Sequence, residues 1–326
     1  MTTVSRFYIR NDFLTLRDSG IWGPIFPQQK FFNMNTILVP TSLSQSDRAA
    51  FRYAIDLAMH YEWGLHLVYI WPVSFAPGGE PIFFPEDELE KDLEEFIKGS
   101  DLMHKELDFL GKTEFKKTVI QGLERPTLLG YADEIGASLI VVGNPKKSGI
   151  DRAFFGSLPA DLARFADCPV LLVPERAAFT GFGEILFATD NLSLKPVFLG
   201  RAVDLANEFK GFIRFLHVGS DAQEGEKVQE KLIETFAPLS KPSLGWAWNH
   251  VAARSVERGL LGWLLENPAD LVVLSTRHRS FLDGLTHHSV TEGLSKKPFF
   301  PVLVLHEEDP ADRISFDSIK DFRLKK

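Results

Sequence analysis

The residues best placed to do chemistry are Val142-Gly143-Asn144-Pro145-Lys146 and, after nine further positions, Gly156-Ser157-Leu158-Pro159. Glycine lacks a Cβ, so its backbone N–H can approach an anionic oxygen closely. A helix opening near Ser157 adds unpaired donors and a partial positive charge. The chemistry these residues suit is the cradling of a phosphate. Lys146 has two readings: a cation offered to that phosphate, or a side chain filling the space a ligand would use. Ser157 equally serves as a helix cap. A β-like run ends at Pro40-Thr41-Ser42, with a counterpart at Ala188-Thr189-Asp190. Asp190 suits the cap or turn that starts the next helix.

Other reactive side chains have weaker patterns. His278, His287 and His288 invite a metal, but two are adjacent and no ligand spacing accompanies them, so no metal site is expected. Ser289-Val290-Thr291-Glu292 reads as a capping box, which accounts for that serine. Cys168 is the single cysteine, which excludes an intramolecular disulfide and fits a reducing, cytoplasmic setting. Between Asp167 and Pro169 it reads as a small buried residue, not a reactive thiol. No serine-histidine-acid set, carboxylate pair or Walker lysine-serine step can be placed, so no catalytic residues are expected.

Composition narrows the partners. A formal net charge of -8 over 326 residues gives no general attraction to nucleic acid or anionic membranes. No stretch approaches the roughly 18 apolar residues of a membrane span. With 44% hydrophobic residues the chain can bury two cores.

The elements that must position these residues come in short apolar runs separated by amphipathic stretches. The runs are Ile37 to Pro40, Leu65 to Trp71, Phe115 to Ile120, Leu139 to Val142 and Val170 to Val173. Uninterrupted β-branched and leucine-rich runs suit strands buried on both faces of a parallel sheet. Asp47 to Tyr61 carries Phe51, Ile55, Ala58 and Met59 at helical spacing, and the charged run Glu86 to Glu95 reads as a solvated helix face.

The pattern repeats. Thr36-Ile37-Leu38-Val39-Pro40-Thr41 aligns with Glu184-Ile185-Leu186-Phe187-Ala188-Thr189 at an offset of 185 − 37 = 148. Pro169-Val170-Leu171-Leu172-Val173 aligns with Pro301-Val302-Leu303-Val304-Leu305 at 301 − 169 = 132, so the second copy is shorter in its middle. The expected organisation is an extension at 1–33, a domain at 34–176, a linker at 177–182, a second domain at 183–308 and a tail at 309–326. Each domain is expected to be a doubly wound parallel sheet, with ligands beyond the carboxyl ends of the strands. Residues 1–33 lack the long apolar core of an export signal; Phe13, Trp22, Phe26 and Phe31 suit either a packed arm or an extension upstream of Met34.

The loop from Gly143 to Ser157 resembles that of the universal stress protein family, an adenine-nucleotide alpha-hydrolase-like, Rossmann-like fold. In that family Gly-x-x-Gly, nine residues and Gly-Ser or Gly-Thr wrap the phosphates and ribose of ATP. Here Lys146 replaces the middle glycine. Where the family's first strand often ends Val-Pro-Thr-Asp, this chain has Val39-Pro40-Thr41-Ser42. The second copy keeps Asp190 but has Ser275, His278 and His288 at the glycine positions, retaining only Ser289.

The resemblance implies a stress-response regulatory protein binding ATP, with Mg2+ admitted alongside it, at Pro40, Thr41, Ser42, Gly143, Lys146, Gly156, Ser157 and Leu158. Asp190 is the remnant in a degenerate second domain. It also implies that Val170 to Val173 and Val302 to Leu305 pair the copies into an intramolecular pseudo-dimer. A homodimer of chains and unidentified protein partners stay open. The alternatives are a stress-associated scaffold without nucleotide and a slow ATPase.

Overall fold

The computed structural model describes residues 5–7, 36–75, 77–78, 80–82, 86–144, 157–189, 196–240, 243–276 and 300–306. In chain order the elements are β1 (Ser5–Phe7), β2 (Thr36–Thr41), α1 (Gln45–Tyr61), β3 (Gly64–Pro72), β4 (Ser74–Phe75), β5 (Pro81–Ile82), α2 (Glu86–Lys98) and α3 (His104–Lys112). There follow β6 (Phe115–Gly122), α4 (Glu124–Glu134), β7 (Leu139–Asn144), α5 (Ser157–Phe165), β8 (Val170–Pro174), β9 (Glu184–Thr189) and α6 (Pro196–Glu208). The chain continues through β10 (Phe212–Gly219), α7 (Ala222–Phe236), β11 (Trp246–Ala252), α8 (Val256–Glu266), β12 (Leu271–Thr276) and β13 (Val302–His306).

Eleven strands form one sheet in the order β1-β11-β10-β9-β12-β13-β8-β7-β2-β3-β6, while β4 and β5 make a separate small pair. The order β8-β7-β2-β3-β6 in the first half recurs as β13-β12-β9-β10-β11 in the second, and the pairings within each half are parallel. Register repeats as well. Ile37 lies opposite Leu65 and Leu139, and Ile185 lies opposite Ile213 and Leu271, giving 213 − 65 = 148 and 271 − 139 = 132.

Alternation along the strands sends side chains to two cores. One gathers Val39, Leu67, Phe187 and Phe215 against Phe51 of α1, Phe96 of α2, Leu199 of α6 and Val228 of α7. The other gathers Leu38, Val142 and Leu274 against Leu128 of α4, Leu162 of α5 and Leu260 of α8. Helices thus cover both faces of the sheet, the α/β arrangement expected. Each such leucine or phenylalanine stabilises the fold by about 1.5–3 kcal/mol relative to remaining exposed.

Two expectations are corrected. The run Phe115 to Ile120 is not buried on both faces; it belongs to β6 at the sheet's edge, with Lys116 and Lys117 exposed. Charge on an edge strand discourages pairing with another chain. The charged run Glu86 to Glu95 is not wholly a solvated face either, since Leu89 and Leu93 within it are buried.

The halves meet where β8 and β13 pair antiparallel, with Val170 opposite Val304, Leu171 opposite Leu303 and Leu172 opposite Val302. Pairing between these two runs is as expected. At the far edge Ser5–Phe7 adds antiparallel to β11. The rest of residues 1–33, including Phe13, Trp22, Phe26 and Phe31, lies outside the described residues. No described helix is long and apolar enough to cross a membrane.

Candidate functional site

From β2 the chain moves to β3 on one side and later returns to β7 on the other, so the ends of β2 and β7 flank a topological switch point. Thr41 closes β2 and is buried, and its Oγ1 accepts from Leu43 N at 2.9 Å. Leu43 has φ of 63°, a left-handed conformation uncommon for a side chain of this size, which turns the backbone sharply into α1. Asp47 then reaches back. Its Oδ2 accepts from Ser42 N and Ser42 Oγ, both at 2.8 Å, and from Ser44 N at 3.3 Å. The amides of residues 42–44 are therefore occupied by the chain's own side chains.

Gly143 is the second-last residue of β7 and faces this clasp. A Cβ there would lie 2.8 Å from Asp47 Oδ1 and 2.9 Å from the Ser46 carbonyl oxygen, closer than real Cβ contacts come. Glycine is required by proximity at this position. The electrostatics are acidic. Burial pushes the Glu124 carboxyl above its ordinary range, and the neighbouring Asp47 and Asp161 push it further the same way. Arg125 lies 3.5 Å from Asp161 and offsets part of that charge.

The structure brings together Pro40, Thr41, Ser42 and Gly143. Ser157 is the first residue of α5, and half-buried Leu158 follows it. Lys146, Gly156 and Asp190 lie outside the described residues, as do His278, His287, His288 and Ser289. Two mouth residues were missed by sequence reasoning, Asp47 and Glu124. The Ser44-x-x-Asp47 spacing ahead of an apolar run is a capping signature that could have found the first. Nothing local marks Glu124, whose role depends on packing.

Other polar clusters are of a different kind. His217 and His250 lie opposite each other on β10 and β11, rings 5.4 Å apart, with His217 stacked 6.3 Å from Trp248. Burial and His217 lower the His250 imidazole, against the pull of Glu224 and Asp221. No group of three or more metal-ligating side chains occurs among the described residues. Cys168 borders a cavity of about 220 Å³ with Asp133 and Asp167, and burial pushes its thiol up to about 12. A thiol so shifted is a poor nucleophile.

Residues 33–174 match the model of the universal stress protein family. Over 140 residues, 42% of this chain and 80% of the relative, the sequence is 26% identical to a universal stress protein of Methanocaldococcus jannaschii. A universal stress protein structure from Archaeoglobus fulgidus covers 84% of this chain and 99% of its own, with a TM-score of 0.56 and 14% identity. A functionally unknown protein from Pseudomonas aeruginosa covers 85% and 94%, with a TM-score of 0.53 and 16% identity. At these identities the two structures speak for the fold alone. The matched stretch runs through the parallel strands β2, β3, β6, β7 and β8 and holds Ser42, Asp47 and Gly143, and residues 33–174 accordingly belong to the universal stress protein family.

Proposed function

We propose that this chain is a nucleotide-responsive regulatory protein, built as two domains at 34–176 and 183–308, whose first domain receives an adenine nucleotide beyond the carboxyl ends of β2 and β7. The observation that carries this reading is Gly143, held without a Cβ at the switch point of the matched domain. Because Asp47 already holds the amides of Ser42 and Ser44, and Thr41 that of Leu43, the anionic end of the ligand belongs on the side of Gly143, Lys146, Gly156 and Ser157. Pro40, Thr41, Ser42 and Leu158 frame the remainder. The acidic mouth makes ATP accompanied by Mg2+ a better guest than the bare anion. Occupancy, not turnover, is the output in this reading, and no residue is assigned a catalytic role.

The test is thermal unfolding of the full chain with millimolar ATP or ADP, with and without Mg2+. Saturating ligand should raise the midpoint by mass action, and Gly156→Asp should remove the rise. An unchanged midpoint with every nucleotide would sink the proposal. A second reading, a scaffold that answers to protein partners without nucleotide, is favoured by the Ser42–Asp47 clasp, which closes one wall of the mouth. Under that reading, small molecules released from freshly purified protein contain no adenine nucleotide by mass spectrometry.

A further inference from the structure

His60 lies in the last turn of α1 and Glu208 ends α6. Their separation, 208 − 60 = 148, is the offset that carries Ile37 to Ile185 and Leu65 to Ile213. The two side chains touch, with His60 Nε2 3.2 Å from Glu208 Oε1. Likewise Leu171 lies opposite Leu303, and 303 − 171 = 132 is the offset of the carboxyl-terminal strands. A residue that meets its own counterpart stands on the axis relating the two halves. If like halves of two chains paired the same way, each such residue would meet a copy of itself.

Leucine tolerates that exchange, but the charged position does not. Two copies of the first half would set imidazole against imidazole, and two copies of the second would set carboxylate against carboxylate at hydrogen-bond length. The neighbouring position is also unlike: Tyr61 corresponds to Phe209. The Phe209 ring stacks on His60 at 4.7 Å and lies edge-on to Tyr61 at 6.2 Å. Phe179 and Phe182, from the segment connecting the halves, pack edge-on against Phe209 at 5.8 and 5.0 Å.

We propose that His60 and Glu208, seated on Phe209, are a specificity-determining pair of this seam, matching the two unlike halves of one chain and disfavouring like-with-like association between chains. Such devices discriminate by repulsion in the wrong pairing as much as by attraction in the right one. Both side chains are partly exposed, at 35% and 50%, so the effect is modest and screened by salt.

Three full-length variants test it by chemical denaturation in low-salt buffer on the acid side of neutral, where imidazoles carry charge. His60→Glu recreates the carboxylate–carboxylate contact inside one chain, and Glu208→His recreates the imidazole pair. Each should lower the folding equilibrium constant by roughly 2- to 5-fold. The reversed double variant, His60→Glu with Glu208→His, restores an unlike pair and should regain most of that loss. High salt should abolish the regain. The proposal is overturned if the single variants match the parent, if the double is no better than the sum of the singles, or if its recovery persists in high salt.

Discussion

The two halves share a strand order and differ in where they keep their bulk. In the first, the strand carries Val39 and the helix Phe51; at the corresponding positions the second has Phe187 and Leu199, since 187 − 39 = 148 and 199 − 51 = 148. All four side chains are fully buried in the same core. The large ring has moved from helix to strand while the combined volume has changed little, the kind of exchange a core accepts best. The mouths differ in chemistry instead. Ser42 and Asp47 correspond in sequence to Asp190 and Lys195, which lie outside the described residues. Within the next strand Tyr69, packed against the core, corresponds to His217, which is buried. A frame held by volume is preserved while polar residues at the ends of corresponding strands change.

The largest effects should come from disturbing the volume exchange. Phe51→Ala should cost about 3–5 kcal/mol, read by urea unfolding. Val39→Phe alone overpacks a core already filled by Phe51 and should cost about 1–3 kcal/mol. Combining Val39→Phe with Phe51→Leu imports the second half's arrangement and should return the protein to within about 1.5 kcal/mol of the parent. If the combination is as unstable as Val39→Phe alone, the two halves do not use interchangeable packing.

Gly143→Ala comes next. Its Cβ would press on Asp47 and the Ser46 carbonyl, so α1 must shift, at about 1–3 kcal/mol. Hydrogen exchange at the Ser42 amide, now bonded to Asp47, should accelerate; unchanged protection would mean that the clasp does not rest on Gly143.

Asp47→Asn keeps an acceptor but removes the charge from three hydrogen bonds, an expected loss of about 1 kcal/mol in urea unfolding. The smallest effect is on Glu124, whose carboxyl stands above its ordinary range in the folded protein. Because the folded protein holds this proton more tightly than the unfolded chain does, the associated stability is present at acid pH. It is lost as pH rises through the folded value. Asp47→Asn removes one of the charges holding Glu124 up, so NMR titration should find its midpoint lowered, with the contribution of burial remaining. A midpoint unmoved by the substitution would show that Asp47 and Glu124 do not share the mouth.

Much of this was legible in the chain itself. The runs at Ile37, Leu65, Leu139 and Val170 became β2, β3, β7 and β8 because continuous apolar stretches have few other places to go. The run at Phe115 misled for the same reason. Its apolar residues resemble a central strand's, and only the position of β6 at the end of the sheet explains Lys116 and Lys117. At the mouth, Gly143 was found through the spacing of its loop, and Ser42 through the resemblance of the first strand's end to the family's pattern. Asp47 was overlooked because it stands five positions beyond Ser42, and their bond depends on the left-handed turn at Leu43.

Taken alone, the sequence determined the strands, the offsets of 148 and 132, and the glycine at the end of β7, because periodicity and residue size act over a few positions at a time. Only the tertiary structure decided that Asp47 closes over the amides after β2, that β6 lies at an edge, and that His60 meets Glu208. Those outcomes depend on which distant backbone segments are brought within a few ångströms, a property of the packed sheet that no local run of residues encodes.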